Sequence, residues 1–457
     1  MEDEGDRRNR QRRASLNRRA LRRPAGPRLS SPCFALAHRC FGVSFAAALG
    51  LGLTLWASGA AAQVTEASST TVLRLQPDWS AGDKNNSFWA TEYVTLSLRP
   101  FDVPGVQDLQ LHMSAWGQAA TISDGGMGDI DLWYLQGSVL DRHLTFTIGR
   151  QLVVGGAAKV LPLDGLNLTV VSNGGFGLSA YAGAPTAYKL TYPIGDFAFG
   201  ARAFWRPSYG TEVGVSFIEI LNQGAIARQN LGADARVVIL PNLSATASAD
   251  FSLAAARFVD AELTVSWHVL PTLELSVKAQ QSEPDLYLPL TSIFTVFANT
   301  ERTGAGGGLF WQALQRLSFF GNYEFLWVDG GTGNDLELGV VYKMGRKSTA
   351  GFNCHLLFEP SNGYTDLRLW ALHYLTEQIR LSADLDWVLL QNPVVPPAST
   401  QQASLLGTLS ATWVVASGLS LMLSSTVGST PLNQTEFTVT GKVSYDFHSM
   451  LTTKAPQ

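Results

Sequence analysis

The chain has 457 residues, 46% of them hydrophobic and only 15% charged, with 43 Gly, 23 Phe, 12 Trp and 12 Tyr. The aromatic content excludes a disordered chain, and the charged fraction lies well below the ~25% usual for soluble domains. The net charge of −4 and its distribution disfavour nucleic-acid binding: residues 1–62 hold 11 Arg against 4 acidic residues, whereas residues 63–457 carry 22 basic against 33 acidic.

The Arg-rich residues 1–40 precede an apolar run at 41–57, FGVSFAAALGLGLTLWA, and then SGAAAQ. A positive flank, an apolar stretch and small residues ahead of Gln63 form the layout of a secretory signal. Residues 1–62 are therefore expected to be a basic leader plus signal peptide, cleaved after Ala62, with the translation start left open by the length of the positive region. An uncleaved anchor over 41–62 is the competing reading. Cys33 and Cys40 fall in the removed part, which leaves Cys354 alone and excludes an intramolecular disulfide or a Cys-based metal site. AHRC does not form a lipobox, and no apolar stretch of 18 or more follows residue 63.

After a short lead-in at 63–69, period-two alternation dominates residues 70–447. Ala261, Leu263, Val265 and Trp267 oppose Asp260, Glu262, Thr264 and Ser266, and Leu273, Leu275 and Val277 oppose Glu274, Ser276 and Lys278. Leu317, Phe319, Tyr323, Phe325 and Trp327 oppose Ser318, Asn322 and Glu324; Leu336, Leu338, Val340 and Tyr342 oppose Asp335, Glu337 and Lys343. Leu381, Ala383, Leu385, Trp387 and Leu389 oppose Arg380, Ser382, Asp384 and Asp386, and at the end Phe437, Val439, Val443, Tyr445 and Phe447 oppose Glu436, Thr438, Thr440, Lys442 and Ser444. Helical spacing would scatter these residues round an axis, whereas strand spacing sorts them onto two faces. Residues 448–457 read as a tail.

Tight connections are predicted at Asp141-Arg142, Asn173-Gly174-Gly175, Pro241-Asn242, Pro271-Thr272, Thr376-Glu377-Gln378 and Ser417-Gly418, and looser ones at 153–164, 283–302, 329–334 and 392–402. Short turns at one end and longer loops at the other suit an antiparallel up-and-down transmembrane β-barrel, with short turns on the periplasmic side. Hairpin counting predicts about 22 strands, in a range of 18–22, and the few residues ahead of the first leave no room for a plug domain. In such a barrel the apolar set faces lipid and the charged set a wet lumen, the inverse of a soluble sheet. Trp327, Tyr342, Trp387, Tyr445 and Phe447 near strand ends suit interfacial girdles. A secreted soluble β-sandwich or β-helix is the competing fold.

The signal, the strand–turn register and the last strand, TEFTVTGKVSYDF with its closing aromatic, resemble the Gram-negative outer-membrane porin-like barrels. Gly149-Arg150-Gln151 is similar to a short element of alginate-export-type and related carbohydrate porins. The resemblance implies passive solute transport and folding by the outer-membrane barrel assembly machinery.

If the polar parity faces inward, the pore is lined by Asp129, Asp131, Glu262, Glu274, Lys278, Glu324, Glu337, Arg368, Arg380, Asp384, Asp386 and Lys442, among others. Acidic groups outnumber basic ones, so the lumen is expected to favour cations or neutral polar solutes. Cross-strand pairing that stabilises the wall is the alternative role for each of these residues. The segment 283–302 is too apolar for a solvated loop, and Leu286, Leu288, Ile293, Phe294 and Phe297 are expected to fold into the lumen and narrow it, packing against 153–164. Arg150 shares the parity of Leu144, Phe146 and Ile148, which requires either a bulge at Gly149 or an Arg150 that snorkels.

No covalent chemistry is evident. The His residues have no metal-ligand spacing, Gly177-Leu178-Ser179-Ala180-Tyr181 lacks the last Gly of a nucleophile elbow, and Gly304-Ala305-Gly306-Gly307-Gly308 lacks the Lys and Ser/Thr of a P-loop and suits a strand end with close backbone approach. The expected protein is thus an outer-membrane channel without cofactor or metal, whose partners are the lipid bilayer, the assembly machinery and small polar solutes, with a homo-oligomer left open and nucleic acid excluded. An outer-membrane barrel hydrolase and a sealed structural or adhesive barrel are the alternatives.

Overall fold

Residues 64–78, 85–121, 126–186, 195–283, 301–345, 347–360, 363–391, 402–430 and 435–450 are described in a computed structural model of the chain. They form 22 strands. The first are β1 (Val64–Asp78), β2 (Asn85–Val103), β3 (Val106–Ala120), β4 (Met127–Val139), β5 (Leu144–Val154), β6 (Val160–Val171) and β7 (Phe176–Pro185). Then come β8 (Phe197–Ser208), β9 (Thr211–Asn222), β10 (Ala225–Leu240), β11 (Leu243–Ser252), β12 (Arg257–Leu270), β13 (Leu273–Ser282), β14 (Arg302–Leu314) and β15 (Leu317–Val328). The last are β16 (Gly331–Lys343), β17 (Thr349–Phe358), β18 (Gly363–Tyr374), β19 (Ile379–Gln391), β20 (Ala403–Ala416), β21 (Leu419–Ser429) and β22 (Glu436–Met450).

Each strand pairs antiparallel with its sequence neighbour, and β1 closes on β22 from Val64↔Met450 to Leu75↔Val439. Closure pairs both backbone edges, the condition for crossing hydrocarbon with strands. β1 takes in the residues read as a lead-in, and β22 extends to Met450. The leader 1–62 and the rest of the tail lie outside the described residues.

At one end, called the turn end, every connection spans two to five residues, including 141–142, 173–175, 241–242, 271–272, 376–378 and 417–418. The other, the loop end, carries 186–196, 283–301 and 392–402, but also the two-residue turns Gln223-Gly224 and Asp329-Gly330. Two expected loops shorten here. Gly331 and Gly333 belong to β16, opposite Val328 and Leu326, because extended glycine joins a ladder as readily as it makes a turn. The expected loop 153–164 shrinks to 155–159, since β5 and β6 stay paired as far as Val154↔Val160.

The two faces sort as the alternation requires, with greasy side chains outside. Leu369, Leu385, Leu409 and Leu423 are 46–68% exposed. A soluble sheet would hide these residues; here they form a surface matched to acyl chains. Trp205, Trp267, Trp311, Tyr342, Trp413 and Tyr445 ring the turn end on this outer face, and Trp327 and Trp387 stand toward the loop end. Glu92 interrupts the apolar surface; it lies opposite Thr71 and accepts hydrogen bonds from the hydroxyls of Ser69 and Thr71 on β1.

The face assignment has a direct test. In a Cys354→Ala background, cysteine introduced at Asp384 is expected to react with a hydrophilic maleimide in intact proteoliposomes, and cysteine at Leu385 to stay unlabelled. Equal labelling of the two sites would contradict the inverted polarity.

The glycine run 304–308 lies in the first half of β14 and not at a strand end. Its inward members leave a notch through which Gln280 of β13 reaches past β14 to Glu324 of β15, Nε2 to Oε1 at 2.6 Å. A Cβ on Gly306 would collide with the Tyr323 carbonyl. Gly306→Ala is therefore expected to cost about 1–3 kcal/mol by forced backbone displacement. A lower temperature for loss of the folded-barrel mobility shift on an electrophoresis gel would report it.

Candidate functional site: the inner wall and the in-folded tip

The hydrogen-bond ladder sets which side chains look inward. Along β8–β12 these include Arg202, Ser216, Ile218, Asp234, Asp250 and Glu262, and along β15–β19 Glu324, Glu337, Asp366, Arg368, Asp384 and Asp386. The two arcs differ in how their charges are engaged.

On β8–β12 most of the inward charges are paired. Arg202 binds both Asp234 and Glu212, Arg206 binds Glu212, and both guanidinium groups stack on Phe204 at 5.1 and 4.3 Å. Arg228 pairs with Asp250 at 3.1 Å with side-chain exposures of 15% and 4%, and Asn230 donates to the same carboxylate at 3.0 Å.

These strands also carry the connection between β5 and β6. A single 3-10 turn, Gly156–Ala158, bends inward onto the wall of β9–β11. The Ala157 N–H donates to Ser216 Oγ at 2.8 Å, the Ala157 carbonyl accepts from Arg228 at 2.8 Å, and Lys159 Nζ lies 3.0 Å from Asp260 Oδ2. Under the tip, Val153, Ala157, Ala158, Leu161, Leu163, Tyr181, Ala198, Ile218 and Ile220 form a dry cluster on the inward face. Burial of its Val, Leu and Ile members stabilises this cluster by roughly 1.5–3 kcal/mol each. The expected in-folding by 283–302 falls, with Leu286, Leu288, Ile293, Phe294 and Phe297, outside the described residues.

Gly149-Arg150-Gln151 braces the base of the tip. Gly149 has φ +117°, where a Cβ would strike the Trp133 carbonyl. Arg150 stays on the outward parity opposite Trp133 and Asp164, with Nε 2.8 Å from Asp164 Oδ1 and Nη1 3.1 Å from Asp129 Oδ1 and 2.7 Å from the Ile130 carbonyl. Gln151, 3% exposed, donates to the carbonyls of Thr147 and Gly165 from the inward side. A distorted Gly149 and an ion-paired Arg150 thus occur together; the guanidinium is neutralised in place and does not snorkel.

On β15–β19 the carboxylates exceed their cations. Arg368 pairs with Asp384 at 2.6 Å, with Asp386 opposite it in the ladder and Asp366 also within its field. Glu324 accepts from Gln280, and Glu337 from Asn322 Nδ2 at 3.1 Å, so amides and not cations satisfy these two. Asp335 meets His355 Nε2 at 2.7 Å. In the loop after β17, Glu359 is 11% exposed and 2.7 Å from Arg302; burial pushes its carboxyl above the usual range, and the guanidinium opposes that rise.

The other expected lining residues are scattered round the wall. Glu262 and Lys278 are 3.8 Å apart, and Glu274 is 3.3 Å from His268. Arg380 faces Tyr374 and Thr412, and Lys442 faces Met422 and Val72. Asp129 is engaged by Arg150, and Asp131 sits at the register shift where Ser114↔Leu132 passes to Ala115↔Ile130. Among the described residues no group of three or more His, Cys, Asp or Glu side chains could hold a metal ion. Ser216, Arg228 and Asp250, which hold the tip, were not singled out by sequence; the signal that could have found the tip is the run of small residues at 155–158 between two strands.

The closed antiparallel barrel, its inverted polarity and its girdles define an outer-membrane-type β-barrel. Searched by sequence, the chain matches no known protein family and no curated protein. Among solved structures it is similar to a mutant of the ferric enterobactin receptor PfeA of Pseudomonas aeruginosa, at 9% identity over 84% of this chain and 80% of that one, TM-score 0.53. A second mutant of that receptor, in complex with enterobactin, aligns at 10% identity over 83% and 81%, TM-score 0.52. The translocation pore of the P pilus usher PapC aligns over 85% of this chain and 100% of that one at 8% identity and a TM-score of 0.48. These likenesses concern the fold alone.

Proposed function

We propose that the chain is an outer-membrane channel for passive diffusion of small hydrophilic solutes, narrowed by the β5–β6 tip and leaning toward cations and neutral molecules. The observation that carries this reading is the enclosed polar wall, in which the β15–β19 arc holds six carboxylates, Glu324, Asp335, Glu337, Asp366, Asp384 and Asp386, against Lys343, Arg368, Arg380 and His355. Barrels with fewer strands already leave an aqueous channel, so a 22-strand wall, into which among the described residues only the β5–β6 tip folds, supports a wide conduit. Selectivity then follows from width, wall charge and the cost of removing hydration.

In this reading the turn end faces the periplasm, the loop end faces outward, and the barrel is inserted by the outer-membrane assembly machinery. Solutes move down their own gradients, and no bond is made or broken. Planar-bilayer recording with asymmetric KCl tests it: discrete conductance steps with a reversal potential on the cation-selective side are expected. Purified, folded protein that inserts without passing current would overturn the channel reading.

A further inference from the structure

The inward charges of β14–β19 are sorted along the pore as well as round it. On β16, Lys343 is the last residue at the turn end, and Glu337 and Asp335 lie six and eight residues toward the loop end. On β19, Arg380 is the second residue at the turn end, and Asp384 and Asp386 lie four and six residues beyond it. The order repeats on β22 from Lys442 to Glu436, with Asp446 beyond Lys442 at the rim. Even spacings keep each set on one face. At ~3.4 Å per residue, cation and carboxylate levels stand about 14–27 Å apart.

The turn end of this arc supplies two more cations. Arg316 stands in the connection between β14 and β15, and Lys347 in the one between β16 and β17, its Nζ 5.8 Å from the ring centre of Tyr374. Both are exposed, as are Lys343 and Arg380, and among the described residues none of the four takes an acidic partner. The described turn-end connections of the arc set one carboxylate, Glu377, against them. Toward the loop end the balance inverts: the six carboxylates from Glu324 to Asp386 face Arg368 and His355, and Arg302 is taken by Glu359. On β8–β12, by contrast, opposite charges meet at close range, as Arg202 meets Asp234 and Glu212, and largely cancel.

We propose that this axial order makes the channel a rectifier, which conducts more current when the loop end is positive than when it is negative. The carboxylate zone gathers mobile cations, and the cationic mouth gathers mobile anions. A field pointing from the loop end to the turn end drives both toward the level between the zones, where they accumulate and raise the conductance. The opposite field draws both away and depletes that level. A swinging tip would also give an asymmetric current, but salt would not screen it. The proposal deepens the channel reading and rests on it: the same wall that sets the sign of the permeant ion also sets the direction in which it passes more readily.

The test is single-channel current–voltage recording in symmetric KCl. Orientation is read from the side on which a thiol reagent too bulky for the pore alters the current of Gln315→Cys in the Cys354→Ala background. In about 0.1 M salt, where the screening length is ~10 Å, the current is expected to be about two-fold larger with the loop end positive; near 1 M, where it is ~3 Å, the ratio should return to about one. The triple variant K343Q/K347Q/R380Q is expected to bring the low-salt ratio close to one. Should that variant fail to fold, K347Q, in an exposed turn, is expected to lower the ratio by itself. A steady but symmetric current, a larger current with the loop end negative, asymmetry that survives 1 M salt, or asymmetry unchanged in these variants would each overturn the rectifier alone. Inserted protein that passes no current would overturn the channel reading and the rectifier with it.

Discussion

Replacing Gly155–Lys159 by a two-residue Asn-Gly turn is expected to raise single-channel conductance and the size limit for neutral solutes, with strand content unchanged. The tip contributes no ladder pairing beyond Val154↔Val160, so a tight hairpin turn can close β5 and β6 without it. What it contributes is volume inside the lumen. Its hold on the wall depends on Arg228, which binds both the Ala157 carbonyl and Asp250. Removing one partner of a buried pair leaves the other charge uncompensated, at a cost of about 3–5 kcal/mol. Asp250→Ala is therefore expected to undock the tip without removing it, and to produce a noisier, larger conductance than the parent. Leu163→Ala, which empties the dry cluster at about 2–5 kcal/mol, should act in the same direction. Identical conductance in the turn replacement and the parent would mean that the narrowest part of the pathway lies elsewhere.

The second large effect is expected from the quadruple variant Glu324→Gln, Glu337→Gln, Asp366→Asn and Asp386→Asn, whose reversal potential should move toward the anion side. These four carboxylates are satisfied by amides or crowd round Arg368, so neutralising them leaves fewer stranded cations than would the same change on β8–β12. A cation passing such a wall gains on the order of 1 kcal/mol in a wet pore, which corresponds to about a five-fold fall in cation-to-anion permeability ratio on neutralisation. The shift should be largest at low ionic strength and shrink near 1 M salt, where the screening length falls to about 3 Å. The control is Asp234→Asn, which leaves Arg202 to share Glu212 with Arg206; it is expected to lower barrel stability more than selectivity. An unchanged reversal potential in the quadruple variant would assign the arc a purely structural role.

Much of the barrel was legible in the chain because strand geometry writes itself at short range. Leu381, Leu385 and Trp387 against Asp384 and Asp386 announce two faces within a few residues, and Pro271-Thr272 and Ser417-Gly418 announce where the chain reverses. Glycine misled where its two uses look alike: Gly331 and Gly333 pair as strand, while Gly155 and Gly156 take φ of 104° and 56° and turn. Arg150 was read on the apolar parity with a bulge at Gly149 or snorkelling left open, and its partners Asp129 and Asp164 sit on two other strands and carry no local mark.

Taken by itself, the chain determined that residues from about 70 to 447 run as two-faced strands joined by alternating reversals. Those properties depend on neighbours one to four positions apart. Only the closed tertiary structure decided the strand number, the descent of 155–159 onto β9–β11, and the contrast between paired charges on one arc and surplus carboxylates on another. Each of these joins side chains separated by tens of residues, and their meeting is set by ladder register round the whole ring, a quantity no local window contains.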